Sequence, residues 1–282
     1  MKMPISSLIV LAACLVCLPA IAQSPPAIDL RLYDIANAPD AARLETDIRK
    51  LAGFGTRNTL SDTVSNVRGI GAARRWIKAE FDKISQDCNG CLEVWYQRTL
   101  EPATPNTRIT KDVVIVNVVA IQRGTLHPNR YVMMSGDIDS RASNAGDGEV
   151  DAPGANDNAS GMAGVLEAAR VLTKYRFPNS IVYVGLSGEE QGLYGGRHLA
   201  QLAKEQGWDI AGVLNNDMIG NIEGINGEID NRTFRVFSEP TPVDENDQQR
   251  TWKRFYGGEG DGPSRQLARY IDRLTELYTT NL

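Results

Sequence analysis

Residues 180–190 read Ser-Ile-Val-Tyr-Val-Gly-Leu-Ser-Gly-Glu-Glu. From Ser180 to Leu186 the run is apolar and largely β-branched, and it stops at a Ser-Gly pair, the pattern of a strand buried on both faces. Two carboxylates, Glu189 and Glu190, follow at once. An interior strand that delivers acids at its carboxyl end points to an α/β protein whose binding crevice lies beyond the strand ends.

Outward from this strand the chain alternates between the two periodicities. Asn158 to Tyr175 and Gly192 to Glu205 carry apolar residues at helical spacing, and Ile210 to Leu214 is another short strand. Upstream, Pro39 to Leu51 and Ile70 to Ile84 predict helices, Leu92 to Leu100 alternates like a half-buried strand, and Val113 to Ile121 is nearly continuous in β-branched residues. Arg130 to Gly136 is a third strand, and Ser264 to Tyr278 reads as a closing helix. Residues 23–36 read as a Pro-containing lead-in, and the tract from Gly220 to Gly262 as a long loop rich in Gly, Asn, Asp and Glu. The order implies an α/β sandwich.

The acids fall where those elements end. Asp137 and Asp139 follow the third strand, Asp157 precedes the Asn158 helix, Glu189 and Glu190 follow Leu186, and Asp217 follows Leu214. Single acids at such places cap helices or sit in solvated turns. Six at successive element ends converge on one crevice, where they would raise one another's pKa unless a divalent cation offset the charge.

Composition narrows the rest. The 282 residues are 42% hydrophobic and 23% charged, enough for a sizeable core. The formal charge is −5 with no basic cluster, so nucleic acid is not an expected partner. Lys2, the apolar run from Leu8 to Leu18 and Ala20-Ile21-Ala22 read as a bacterial-type signal peptide over residues 1–22, leaving residues 23–282 as one mature domain in the periplasm or outside the cell. Cleavage before Cys14 in Leu11-Ala12-Ala13-Cys14, as in a lipoprotein, is the alternative. The apolar run is shorter than the about 20 residues a bilayer requires, so no transmembrane segment is expected. In an oxidising compartment Cys88 and Cys91 read as a local disulfide across a tight turn.

Other chemistries match less well. Gly185-Leu186-Ser187-Gly188-Glu189 misses the serine-hydrolase elbow at its fifth position and has no well-placed histidine. Gly69-Ile70-Gly71 lacks the third glycine of a dinucleotide loop, with Arg74 in its place, and Asp147 to Asp151 lacks the EF-hand spacing.

Three stretches carry a more specific resemblance. Ala152-Pro153-Gly154-Ala155-Asn156-Asp157-Asn158-Ala159-Ser160-Gly161, then Leu186-Ser187-Gly188-Glu189-Glu190-Gln191-Gly192-Leu193-Tyr194-Gly195, then Asn216-Asp217-Met218-Ile219-Gly220, together resemble the two-zinc aminopeptidases typified by bacterial leucyl aminopeptidase. The resemblance covers roughly residues 40 to 225. It implies a three-layer sandwich around a mixed, mainly parallel sheet, and an exopeptidase that removes N-terminal residues from peptide substrates. It further implies that Asp157 bridges two zinc ions, that Glu190 binds one ion and Asp217 the other, and that Glu189 is the general base. A cis peptide between Asp157 and Asn158 is implied as well.

Two positions depart from the family pattern. The family places His-x-Asp at the end of the third strand, where this chain reads Asp137-Ile138-Asp139. Asp137 then stands as a replacement metal ligand, one that suits harder cations such as manganese, and Asp139 has no imidazole to orient. The family's last ligand is a histidine well downstream, whereas the only histidines here are His127 and His198, both read as surface or packing residues. The expectation is an exported metallopeptidase lacking the family's C-terminal segment; its rival is a metal-poor module that keeps the fold and binds peptides or partners. The sequence leaves oligomeric state, side-chain preference, and the choice among aminopeptidase, carboxypeptidase and aminoacyl cyclase open.

Overall fold

Asn179–Leu186 (β4) lies in the middle of a five-stranded sheet, as its composition requires. The structure, a computed structural model, describes residues 28–239, 245–256 and 262–279. Residues 1–22, read as a signal peptide, lie outside the described residues.

The other strands are Leu92–Glu101 (β1), Val113–Gln122 (β2), His127–Asp137 (β3) and Asp209–Asn216 (β5), in the order β1-β2-β4-β3-β5. β3 pairs in parallel with β4 and β5, while β2 is antiparallel to both β1 and β4. Four of the five strands therefore share one direction, and the sheet is mixed. The register levels the strand ends: Gly136 stands opposite both Gly185 and Asn216.

Period-two alternation splits the core into two layers. Val118, Ala120 and Tyr183 face one side, packed with Ile70, Ile77 and Phe81 of Gly69–Asp87 (α3) and Met162 and Leu166 of Gly161–Leu172 (α4). Leu51 of Ala41–Ala52 (α2) joins that layer. Val119, Ile121, Val182 and Val184 face the other side and meet Leu199. Leu199 belongs to Tyr194–Glu205 (α6), which Glu189–Gly192 (α5) precedes. The result is helices, sheet, helix: the three layers expected.

Three expectations need correction. The lead-in contains a helix, Leu30–Ala36 (α1), because Asp29 accepts from the backbone N–H of Arg31 and caps it. The loop-like tract likewise holds Asp247–Tyr256 (α7), which precedes the expected closing helix Pro263–Tyr278 (α8). Finally, the helix expected from Asn158 begins as an α-helix only at Gly161. Residues Ala155–Ser160 form a π-turn in which Asp157 and Asn158 leave helical backbone angles. The Cys88–Cys91 disulfide is present, as is the cis peptide between Asp157 and Asn158.

Two glycines let that π-turn reach the strand ends. A Cβ on Gly161 would stand 2.2 Å from the Asn216 carbonyl oxygen, and one on Gly136 would stand 2.8 Å from the Gly161 backbone. Only hydrogen fits at either place.

Candidate functional site

The ends of β3 and β5 and the π-turn are tied together by side chains that carry no charge. Asn158, 1% exposed, donates through Nδ2 to Asp137 Oδ2 at 3.1 Å and to the Asn216 carbonyl at 2.9 Å. Its Oδ1 accepts from the backbone N–H groups of Gly161 and Met218. Asn156 Oδ1 accepts from Gly220 N. Asp157 and Asp217, the acids beside these anchors, are thereby held on neighbouring elements and are both exposed.

Asp139 does the same for α5. Fully buried, it accepts from the backbone N–H groups of Glu189 and Glu190 and from the Thr59 hydroxyl. Without a histidine to orient, it fixes the turn that presents the two glutamates. Arg57 locks the layer beneath. Its guanidinium, entirely buried, donates to the carbonyls of Ile138, Leu51, Pro153 and Gly154, and so joins the Asp137–Asp139 segment to the loop that leads into Asp157. Burial holds its pKa down at about 10, with Asp139 and Asp157 acting in the opposite direction.

The electrostatics show the acids acting on one another. Burial raises Asp137 to about 8, and the charges of Asp139, Glu189 and Asp217 add to the shift. Burial raises Glu189 to about 7, with Asp139, Glu190, Asp217 and Asp157 contributing. Glu190 and Asp217 are raised by burial first and then by Asp157. The acids singled out from the sequence thus stand at adjoining element ends at the sheet's carboxyl edge, close enough to act on one another electrostatically. One of them has a cation: Arg141 pairs through Nε with Glu190 Oε2.

The donor chemistry fits a divalent cation. Carboxylates that raise each other's proton affinity lack positive charge, and an all-oxygen set suits hard or borderline ions. Among the described residues, however, no three His, Cys, Asp or Glu side chains are grouped as a ready ligand set. Neither histidine supplements the acids: His127 is exposed at the first residue of β3, and His198 Nε2 sits 3.1 Å from Glu101 Oε2. Ser187 is buried with its hydroxyl given to the Val116 carbonyl, which removes it as a nucleophile.

Asn158, Arg57, Thr59 and Arg141 were not among the residues expected from sequence. Asn158 lay inside a quoted motif. The other three carry little local signal, because Thr59 and Arg141 have partners at least 49 residues away and all but one of the carbonyls Arg57 serves lie at least 81 residues away.

In sequence and in fold the chain is similar to known proteins. A model of the family described as Peptidase family M28 matches residues 117–229. A probable zinc metalloprotease of Pyrenophora tritici-repentis is 40% identical over 90% of this chain and 58% of its own length. The chain spans about half the length of the curated relatives it matches. Among solved structures, LapB of Legionella pneumophila is similar in fold, with a TM-score of 0.54 at 21% identity over 71% of this chain and 49% of that one. A glutaminyl cyclase of an Acidobacteriales bacterium reaches a TM-score of 0.50 at 23% identity, covering 73% of this chain and 64% of its own.

Proposed function

We infer that this chain, which belongs to peptidase family M28, is the catalytic part of an exported aminopeptidase that hydrolyses N-terminal peptide bonds with a metal-activated water. The observation that supports this reading most is the joining of four element ends by Asn158 and Asp139, which sets Asp137, Glu189 and Glu190 beside the elements that carry Asp157 and Asp217. Asp157 would hold both ions, Glu190 one, and Asp217 with Asp137 the other. Such ions supply the positive charge that polarises a carbonyl and acidifies a water.

The chain's own groups do the remainder. Glu189 is half-buried on the first residue of α5 and binds a proton near neutrality, so its carboxylate can accept a proton and return it to a leaving amine. The surrounding negative charge attracts the free α-amino group of a peptide and disfavours an acidic one.

A second reading, a metal-poor module that binds peptides or partners, draws support from Arg141, which occupies one of the assigned ligands, and from the lack of a grouped ligand set among the described residues. Elemental analysis of the purified chain separates the two. About two divalent ions per chain and hydrolysis of an aminoacyl p-nitroanilide support the peptidase. In that case Glu189→Gln lowers turnover by about 10²–10⁴-fold with metal content unchanged. No bound metal and no turnover support the module.

A further inference from the structure

A cavity of about 610 Å³ opens between residues 59–63, the first turns of α3 and the adjoining ends of β1 and β2. None of the six crevice acids lines it. Four cationic side chains do, Arg74, Arg75, Arg98 and Lys111, against one carboxylate, Asp112, whose Oδ1 already accepts from the Ala103 backbone N–H. In a protein with a net charge of −5 this is a concentrated local excess of positive charge.

Arg74 is the informative member. It is 5% exposed, and among the described residues its Nε and Nη2 have no hydrogen-bond partner and its guanidinium no ion pair. Arg75, by contrast, spends its donors on the carbonyls of Thr63, Val64 and Ser65. Arg98 lies over the Tyr96 ring at 4.5 Å. A buried guanidinium without a counter-ion is costly to keep, and burial pushes the Arg74 pKa down to about 10. Opposite charge acts on it from Asp139, on the far side of Thr59. The remaining wall is apolar, with Leu60, Val113 and Val116 beside the Tyr96 ring. The volume is that of a small-molecule site.

We propose that this cavity is a binding site for a small organic oxyanion, a carboxylate or phosphate on an apolar body, which ion-pairs with Arg74 at the bottom and meets Arg98 and Lys111 at the rim. The guanidinium fork matches either group in two-point fashion, and the apolar wall takes the body. The proposal does not rest on the peptidase reading, since none of the charged residues lining the cavity is one of the six acids.

The test is calorimetric titration of the full chain with phenylacetate, phenyl phosphate, inorganic phosphate and phenylacetamide. Phenylacetate, phenyl phosphate or both bind, inorganic phosphate binds at least tenfold more weakly, and the uncharged amide gives no heat; whichever organic anion binds more tightly identifies the headgroup. Arg74→Met weakens that binding at least tenfold and keeps or raises Tm, because it removes a buried cation that has no partner. No heat from either organic anion, equal binding of phenylacetamide, or unchanged binding to Arg74→Met overturns the proposal. Should Arg74→Met not fold, the double variant Arg98→Gln/Lys111→Gln on the exposed rim weakens binding severalfold, and undiminished affinity there overturns it equally.

Discussion

Asn158 Nδ2 donates to Asp137 Oδ2 at 3.1 Å, so the buried acid at the end of β3 is held by a neutral amide from the π-turn. The same amide also bonds Asn216, Gly161 and Met218, and thereby fixes the separation of the β3 end, the start of α4 and the end of β5. Replacement by Asp keeps the shape, removes two donors and sets a carboxylate against Asp137. The expected cost is about 3 kcal/mol, from the Asn216 carbonyl left without a donor and from a carboxylate buried in the amide's place, and it grows above pH 8 as Asp137 ionises beside it. Urea unfolding at pH 7 measures it, and a loss below about 1 kcal/mol would show that the amide is not the anchor.

Arg57 anchors by a different route. It serves four carbonyls from three segments, and no Lys can reproduce that fork. Arg57→Met leaves those carbonyls without donors and is expected to cost about 3–5 kcal/mol. Arg57→Lys keeps the charge but recovers less than half of the loss. Denaturant midpoints of both variants decide between fork and charge: full recovery by Lys would mean that the resident positive charge near Asp139 and Asp157 matters more than the carbonyl clamp.

Much of this architecture was legible in the sequence, for physical reasons that can be named. Val118 to Ile121 and Val182 to Val184 alternate between two apolar layers, so their β-branched composition reported a strand covered on both faces. The acids stood out because turn residues mark strand ends. What stayed hidden depends on partners distant in sequence. α1 rests on a single cap at Asp29 and carries no buried residue, so no apolar stripe announced it. The start of α4 was misplaced because Asp157 and Asn158 continue a helical pattern whose backbone they do not follow. Asp139 was expected to stand behind the site with no imidazole to orient; it holds α5 through two backbone N–H groups 50 and 51 residues away.

The crevice acids set a pH dependence whose sign is unusual for carboxylates. Asp137 at about 8 and Glu189 at about 7 lie above their unfolded values near 4. Folding therefore binds protons, and the stabilisation they give is complete below about pH 4 and lost as pH rises through 7 and 8. Chelator-treated protein is expected to lose about 2–4 kcal/mol between pH 5 and pH 8, read as a Tm lower by at least about 4 °C. Zinc or manganese at saturating concentration reverses the trend, because proton release then favours binding at the higher pH. A flat Tm profile without metal would mean that Asp137 and Glu189 do not hold protons near neutrality.

On the proposed reading, Arg141 competes with a cation for Glu190. Its guanidinium pairs with Glu190 Oε2, with Arg141 39% and Glu190 9% exposed at their side chains, so the contact is half open to water. A pair of that kind contributes about 0.2–1 kcal/mol, and a cation that takes Glu190 must displace it. Arg141→Gln is therefore expected to tighten divalent-ion binding by up to about fivefold, since 1.4 kcal/mol corresponds to a factor of ten. The Arg108 bond to the Glu190 carbonyl keeps the backbone in place in the variant. Zinc and manganese titrations of the two proteins give the answer. Weaker binding after the substitution would mean that Arg141 orients Glu190 for the ion rather than competing with it, and unchanged binding would remove Glu190 from the ligand set.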